Sequence, residues 1–109
     1  MKLAFIIIPH EGPTGIKPWV KQLTYLINRT INKFMMDFGG CTFYQVYGQW
    51  KGDGKQIKST KIEVAVPDKK LSAFLEWAGE VVEEAGVEEI MVQLPGGDIE
   101  FIKRANKWQ

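Results

Sequence analysis

The chain has 109 residues, of which 45% are hydrophobic and 25% are charged, and its formal net charge is +1. This length suits one domain with one hydrophobic core, and we predict a single domain over residues 1–109, with residues 103–109 as a polar C-terminal tail. The composition excludes an intrinsically disordered chain. The near-neutral charge argues against nucleic acid as a partner.

The apolar runs and the cysteine content indicate the compartment in which we expect the protein. The first apolar run, residues 3–8, is short for a signal peptide and ends at Pro9, and no run approaches the roughly 20 residues that span a bilayer. Cys41 is the only cysteine, which excludes an intrachain disulfide and a cysteine-based zinc site. We therefore predict a cytoplasmic protein without a membrane partner.

The first half of the chain predicts a strand, a loop and a helix. Residues 3–8 are continuously apolar and rich in isoleucine, which is typical of a strand buried on both faces. Residues 9–18 are rich in turn formers and predict a loop. From residue 18 to residue 38 the apolar residues recur at helical spacing. Pro18 suits the first turn of this helix, and two glycines end it at residues 39–40.

The second half predicts a hairpin, a helix and a strand. Residues 41–50 and 56–66 are two β-rich runs around a glycine-containing turn at residues 51–55. Asp68, after Pro67, is the expected N-cap of the second helix. Its predicted buried stripe consists of apolar residues at helical spacing: Leu71, Phe74, Leu75, Ala78, Val82 and Ala85. Residues 89–94 predict the fourth strand, and a short apolar segment follows at residues 99–102.

This order, βαββαβ, predicts an α+β ferredoxin-like sandwich with one antiparallel sheet and two helices on one face. The first and third strands should lie in the centre of the sheet, and the second and fourth at its edges. The first helix carries mostly basic residues and the second carries glutamates, so we expect the solvated faces of the two helices to attract each other.

The sheet face away from the helices should be apolar. The first strand leaves either Leu3, Phe5 and Ile7 or Ala4, Ile6 and Ile8 on this face. The second strand adds either Tyr44 with Val46 or Phe43 with Tyr47. Because an apolar patch of this kind usually marks an interface, we predict a homo-oligomer formed through the open sheet face. The alternative is that residues 98–109 fold over this face.

One end of the sheet offers a candidate ligand-binding rim. The residues that we expect there are His10, Glu11, Tyr47, Trp50, Asp53, Lys55 and Lys58. His10 is the only histidine, so it is the side chain best suited to proton transfer near neutral pH, and a solvated loop histidine is the alternative. A metal site would need His10, Glu11 and Asp53 to converge. We predict no metal and no cofactor.

Two glutamates on apolar strands are further candidates for ligand binding. Glu63 alternates with Ile62 and Val64, so if these two residues face the helices, Glu63 points onto the open face together with Lys61. Glu100 lies between two apolar residues and raises the same question. A carboxylate in such a position is paired, desolvated by a partner or functional. A salt bridge to Lys61 or to a neighbouring subunit is the plainer alternative.

Glycine-containing segments carry a resemblance that extends over most of the chain. Residues 39–42, 48–50, 52–54 and 94–102 resemble a group of small ferredoxin-like proteins carried by phages, plasmids and gene cassettes, and this resemblance implies no role. The βαββαβ plan is also similar to PII-like signalling proteins and to phage S-adenosylmethionine lyases, which implies a ligand site between subunits. The PII-like signature motifs are absent.

The resemblance to the lyases implies an acidic residue near a subunit interface with an aromatic neighbour. The matches in this chain are Glu63 and Glu100 for the acid, and Tyr47 or Trp50 for the aromatic side chain. We predict a non-enzymatic, oligomeric protein that binds a small molecule or a partner. The alternatives are a small enzyme of the S-adenosylmethionine lyase type and a pure interaction module from a mobile element.

Overall fold

The computed structural model describes residues 2–10, 20–49 and 56–104 of the chain. The described elements, in chain order, are β1 (Lys2–Pro9), α1 (Val20–Phe38), β2 (Thr42–Gln49), β3 (Gln56–Val66), a 3-10 turn (Asp68–Lys70), α2 (Leu71–Ala85), β4 (Glu89–Gln93) and β5 (Ile99–Lys103). The predicted α+β ferredoxin-like arrangement is confirmed, with all strands antiparallel in one open sheet.

The sheet has the order β2-β3-β1-β4-β5. Strands β1 and β3 lie inside it, as the sequence predicts. The prediction that the fourth strand forms an edge was wrong, because β5 pairs with β4 from Glu89 opposite Lys103 to Gln93 opposite Ile99. The turn between β4 and β5 is closed by two backbone hydrogen bonds, from Leu94 N–H to Asp98 C=O and from Gly97 N–H to Leu94 C=O, both 2.8 Å.

The core lies between one face of the sheet and the two helices. In β1 the alternate residues Ala4, Ile6 and Ile8 are fully buried against the helices. The opposite alternates of β1 face away from them, and Leu3 is 56% exposed. In the single chain β1 is therefore buried on one face, not on both as its sequence predicts. Strand β1 thus carries more apolar side chains than a single chain buries.

The helix ends show how glycine and proline set the boundaries of α1 and α2. Gly39 has φ +90° and its N–H donates to the Met35 carbonyl over 3.1 Å, which ends α1 where the sequence predicts. The start of α1 near Pro18 lies outside the described residues. The prediction that Asp68 caps the second helix was wrong: Asp68 opens the 3-10 turn, which Lys70 N–H closes on the Pro67 carbonyl over 2.8 Å.

Helix α2 buries more than its predicted stripe. Phe74, Ala78 and Val82 are fully buried as predicted, and Trp77 and Val81 are buried in addition. Trp77 is absent from the predicted stripe, and its indole N–H donates to Thr30 Oγ1 of α1 over 3.1 Å. A wider stripe suits a helix that packs on the sheet and on α1 at the same time.

The predicted attraction between the two helices is confirmed by one ion pair. The Arg29 guanidinium donates to both Glu84 carboxylate oxygens, over 2.5 and 2.6 Å. This hydrogen bond, together with the nearby negative charge, raises the pKa of Arg29. Arg29 also lies over the Trp77 ring, 5.2 Å from its centre. The pair ties α1 to α2 above the core and leaves the other sheet face open.

The C-terminal segment extends the sheet at its edge. Residues 99–103 form β5 in the plane of the sheet, so this part of the segment does not fold over the open face. The Arg104 N–H donates to the Glu88 carbonyl over 2.7 Å and continues this pairing. The remainder of the predicted polar tail, residues 105–109, lies outside the described residues. Within the described ranges, no helix is both long enough and apolar enough to cross a membrane.

Candidate functional site

The open face of the sheet brings Glu63 between two strands that carry aromatic residues. Glu63 is directly opposite Phe5 of β1 on one side and Thr42 of β2 on the other. Because Ile62 and Val64 are buried under the helices, strand alternation turns Glu63 onto the open face, as the sequence predicts. The carboxylate is half-buried there.

Tyr44 reaches Glu63 across the diagonal of the β2–β3 pair. The Tyr44 hydroxyl donates to Glu63 Oε1 over 2.5 Å. Tyr44 is itself opposite Lys61, two residues before Glu63, and diagonal neighbours are within reach of long and aromatic side chains. The sequence pointed to Tyr47 or Trp50 as the aromatic neighbour. Tyr44 could have been identified from its position on the open-face side of β2 together with the register of the hairpin, which sets it opposite Lys61.

Lys61 completes the cluster next to Glu63 and Tyr44. Its ammonium lies 4.2 Å from the centre of the Phe5 ring and 5.7 Å from the centre of the Tyr44 ring. Such distances are those of cation–π contacts. The open face therefore presents a carboxylate, a phenol and two electron-rich ring faces within one small area, which suits a cationic or hydroxyl-bearing ligand. We call Phe5, Tyr44, Lys61 and Glu63 the open-face cluster.

A depression adjoins this cluster where β2 begins. Its volume is about 290 Å³, and its lining residues are Leu3, Gly40, Cys41, Thr42, Glu63, Val64 and Ala65. Small-molecule pockets typically measure roughly 300–1,000 Å³ and bury most of the ligand surface. One chain therefore provides part of an enclosed site, with Glu63 shared between the depression and the open-face cluster.

Cys41 lies in the wall of this depression as a packing residue. Its thiol is half-buried and is 4.0 Å from the Ile31 carbonyl of α1. Burial raises the pKa of Cys41, and a raised pKa keeps the thiol protonated and a poor nucleophile. This thiol therefore adds apolar surface to the depression and no nucleophile.

The predicted rim is partly described by the structure. His10 N–H donates to the Lys58 carbonyl over 2.9 Å, and Tyr47 is opposite Lys58, so these three residues meet at one end of the sheet. Of the other rim candidates, Glu11, Trp50, Asp53 and Lys55 lie outside the described residues. The predicted convergence of the whole rim thus stays a prediction.

The His10 ring is directed toward the helix-covered side of the sheet. Its Nε2 lies 2.8 Å from the hydroxyl oxygen of Thr60, a residue with the same parity as the buried Ile62. Burial, and secondarily the charge of Lys58, lower the pKa of His10. The fold therefore disfavours the charged form of this imidazole, which lies on the opposite side of the sheet from Glu63.

Glu100 is far from Glu63 within one chain. It is opposite Val92 in β4, which gives it the parity of the helix-covered side, and its side chain is exposed at the edge of the sheet. Strands β1 and β4 lie between β3 and β5, so three strand spacings, about 14 Å, separate the two carboxylates. Among the described residues, no group of three or more His, Cys, Asp or Glu side chains is placed to hold a metal ion.

Comparison with known proteins finds similarity of fold. No protein-family model matches the chain, and no curated protein matches its sequence significantly. The solved structures with a similar fold include two of phage SAM lyases. One is a phage SAM lyase in complex with S-methyl-5'-thioadenosine, with 12% identity, a TM-score of 0.62, and coverage of 98% of this chain and 91% of that chain.

The second solved structure is a phage SAM lyase in the apo state. It has 15% identity and a TM-score of 0.65, and the match covers 98% of this chain and 90% of that chain. At this level of identity the likeness shows a shared fold. The similarity of plan to phage S-adenosylmethionine lyases that the sequence indicated is thus confirmed for the fold, as a distant structural relationship.

Proposed function

We propose that the protein binds a small adenosyl ligand bearing a sulfonium or thioether group at the open-face cluster, without converting it. The observation that carries the proposal is the Tyr44–Glu63 pair, a carboxylate held at 2.5 Å by a phenol on an apolar sheet face. The fold supports the ligand class, because both similar structures are SAM lyases and one of them contains S-methyl-5'-thioadenosine.

Glu63 has the chemistry that such a ligand needs. A carboxylate accepts hydrogen bonds from ribose hydroxyls, as acidic residues do in dinucleotide sites, and it also attracts the positive charge of a sulfonium. Tyr44 fixes one carboxylate oxygen, Oε1, and thereby orients the second oxygen for a ligand. The Tyr44 and Phe5 rings offer flat apolar faces on which an adenine or a sulfonium methyl group packs.

The same chemistry favours binding over turnover. Cleavage of a C–S bond in a sulfonium sends the bonding electron pair to sulfur, so the positive charge disappears along the reaction. A site with a carboxylate and ring faces stabilises the charged substrate more than the transition state, and such a site holds the ligand without accelerating the reaction. His10, which could move a proton near neutral pH, lies on the other side of the sheet.

A second copy of the chain is the proposed cover of the site. Leu3, Ile99 and Phe101 are each about half exposed on the open face, and their burial contributes roughly 25 cal/mol per Å² of apolar area. The depression beside Glu63 is too open to enclose a ligand by itself. Association through this face would both remove the apolar surface from water and close the site.

The test is incubation of the full chain with S-adenosylmethionine, followed by binding calorimetry and by mass spectrometry of the mixture. We expect binding and no loss of the compound beyond its spontaneous decay. Glu63→Gln removes the negative charge at nearly constant shape and should weaken binding at least tenfold, about 1.4 kcal/mol. Glu76→Gln, an exposed glutamate of α2 on the opposite side of the sheet, is the matched control and should bind like the wild type.

A second ligand separates the two roles of Glu63. If the carboxylate holds the ribose, Glu63→Gln should weaken S-adenosylmethionine and S-methyl-5'-thioadenosine equally. If it attracts the sulfonium, only the charged compound should lose affinity. Absence of binding by the wild-type chain to both compounds would overturn the proposal and leave the pure interaction module.

The lyase is the second candidate function, favoured by the two structural neighbours. The reaction would break the bond between sulfur and the amino-acid side chain and release the neutral thioether. As this bond breaks, the carboxylate of the same amino-acid fragment bonds to the carbon and displaces the sulfur, or a base removes a proton from the neighbouring carbon and a double bond forms. Turnover abolished by Glu63→Gln, with folding intact, would establish this candidate. Turnover abolished by Glu100→Gln as well would place Glu100 of a neighbouring copy at the site.

A further inference from the structure

The open-face cluster contains a cation of the protein itself, the Lys61 ammonium. The Lys61 ammonium lies 4.2 Å from the Phe5 ring centre and 5.7 Å from the Tyr44 ring centre. Lys61 is on β3, Phe5 is on β1 and Tyr44 is on β2, so three adjacent strands define the position of the charge. The register fixes the two rings, because Lys61 is directly opposite Tyr44 and Phe5 is diagonal to it.

This position is the one that best suits the charge of a cationic ligand. Two ring faces attract a cation, and the Glu63 carboxylate, two residues along the same face of β3, adds negative charge. A ligand sulfonium that reaches the same rings meets the Lys61 ammonium, and two like charges do not share one position. The lysine side chain is long and flexible, so its ammonium can leave the rings and return to water.

We propose that Lys61 is a specificity-determining residue of the site: its ammonium holds the place of the ligand's positive charge and must be displaced when a sulfonium binds. The proposal rests on the proposed function of the open-face cluster. A neutral thioether has no positive charge that competes for the position of the Lys61 ammonium, so it binds with Lys61 in place. Lys61 therefore shifts the preference of the site from the sulfonium toward the thioether.

The opposite role for Lys61 predicts the opposite result. S-adenosylmethionine also carries a carboxylate, and an ammonium that held this group would raise the affinity for the sulfonium compound. The position of Lys61 over two rings, rather than extended into solvent, favours the displacement role, because a carboxylate brought to that position would face electron-rich ring surfaces.

The test compares the affinities of Lys61 variants for S-adenosylmethionine and for S-methyl-5'-thioadenosine by calorimetry on the full chain. Lys61→Met keeps a long unbranched side chain and removes the charge. Lys61→Gln also removes the charge and keeps a polar side chain, so it replaces Lys61→Met if that variant aggregates. In both variants the affinity for S-adenosylmethionine should rise about threefold to thirtyfold, the range expected for a vacated cation–π position. The affinity for the thioether should change less than twofold.

Two further variants make the result specific to the ring position. Lys61→Arg keeps a charged group that stacks on aromatic faces, so it should not tighten the binding of S-adenosylmethionine. Lys2→Met removes the same charge from an exposed lysine of the neighbouring strand β1, at the helix-side parity, and is the matched control for long-range repulsion. It should change both affinities less than twofold. Thermal unfolding of each variant checks that the fold is intact.

The outcomes distinguish the inference from the proposed function. If both compounds bind and the Lys61 variants leave the affinity for S-adenosylmethionine unchanged or lower it, the role of Lys61 is overturned and the proposed function stands. If Lys2→Met tightens the binding of S-adenosylmethionine as much as Lys61→Met, the effect comes from the general charge of the protein and the role is overturned as well. If neither compound binds to any variant, both the proposed function and the inference are overturned.

Discussion

The two faces of the sheet are built from the same strands and differ in what covers them. On one face Ile6, Ile62 and Val92 lie side by side under the two helices and are fully buried. On the other face their neighbours along the strands, Phe5 and Glu63 among them, are only half-buried. The covered face packs against a mainly hydrophobic core, whereas the open face carries charged and polar side chains among apolar ones.

Strand β3 serves both packing and binding. Its fully buried residues that face the helices, Ile62, Val64 and Val66, are aliphatic, while the alternates Lys61 and Glu63 each contact a ring or a phenol from a neighbouring strand. The covered face satisfies its few buried polar atoms within the chain. The open face leaves the carboxylate, the rings and the apolar surface around them ready for a ligand or a second copy.

The largest expected effect is on the covered face. Phe74 is fully buried in α2, and its ring centre is 5.8 Å from that of Phe34 in α1. Phe74→Ala should lower the free energy of unfolding by about 3–5 kcal/mol, because it opens a cavity in the core. Denaturant unfolding followed by circular dichroism measures this change.

Phe101→Ala on the open face is the matched comparison for Phe74→Ala. Phe101 is 46% exposed, so the same truncation should cost the monomer less than about 1 kcal/mol. A loss below about 1 kcal/mol for Phe74→Ala would break the distinction between the two faces, and so would equal losses for the two variants.

A charge on the open face tests whether a second copy covers it. At micromolar concentration we expect sedimentation to give a mass above the 12.4 kDa of one chain. Phe101→Glu places a carboxylate in that interface and should weaken association by about 2–4 kcal/mol. Tyr47→Glu puts the same charge on an exposed residue at the helix-side parity of β2 and should leave the mass unchanged. A wild-type monomer would remove the predicted interface.

The sequence predicted the covered face well because burial produces regular periods. The alternation in β3 and the helical spacing in α2 identified Ile62, Val64 and Phe74 as core residues. Hydrophobic periodicity did not predict two features, each for a physical reason. The segment of β5 has only five residues and no strict alternation of charged and apolar residues, and the buried Trp77 donates its N–H to Thr30, 47 residues away in the chain.

The open-face cluster was predicted in part. The parity of β3 placed Lys61 and Glu63 together on the open face, and the structure bears this out. The partner of Glu63 depended on the register of the hairpin, since a shift by one residue would turn Tyr44 away and bring Phe43 or Gln45 onto that face. The predicted turn, residues 51–55, is not readable as a defined turn type from its glycines alone, so the sequence did not determine this register.

A polar pair inside the covered face gives an effect of intermediate size. Trp77 Nε1 donates to Thr30 Oγ1 over 3.1 Å, and the Thr30 hydroxyl donates to the Leu26 carbonyl over 2.9 Å. Thr30→Val keeps the shape of the side chain and leaves the indole N–H without an acceptor, so it should cost about 1–3 kcal/mol. Combining it with Trp77→Phe measures the coupling between the two residues, and strictly additive losses would contradict the hydrogen bond.

The smallest expected effect concerns His10, at the end of the covered face. Burial and the charge of Lys58 lower the pKa of His10 in the folded chain below the ordinary value of 6.5. Well above pH 6.5 the imidazole is neutral in both states, so it does not change the stability. As the pH falls through 6.5 to the lowered pKa, the unfolded chain binds the proton more readily, and the folded state loses stability relative to it. The loss should be small, because the ring is partly in solvent.

His10→Gln keeps a group that can hydrogen-bond to Thr60 and removes the titration. The difference in unfolding free energy between the wild type and this variant should therefore move against the wild type between pH 8 and pH 5. A difference that stays constant over this range, or moves in favour of the wild type, would show that the fold does not disfavour the charged form of His10.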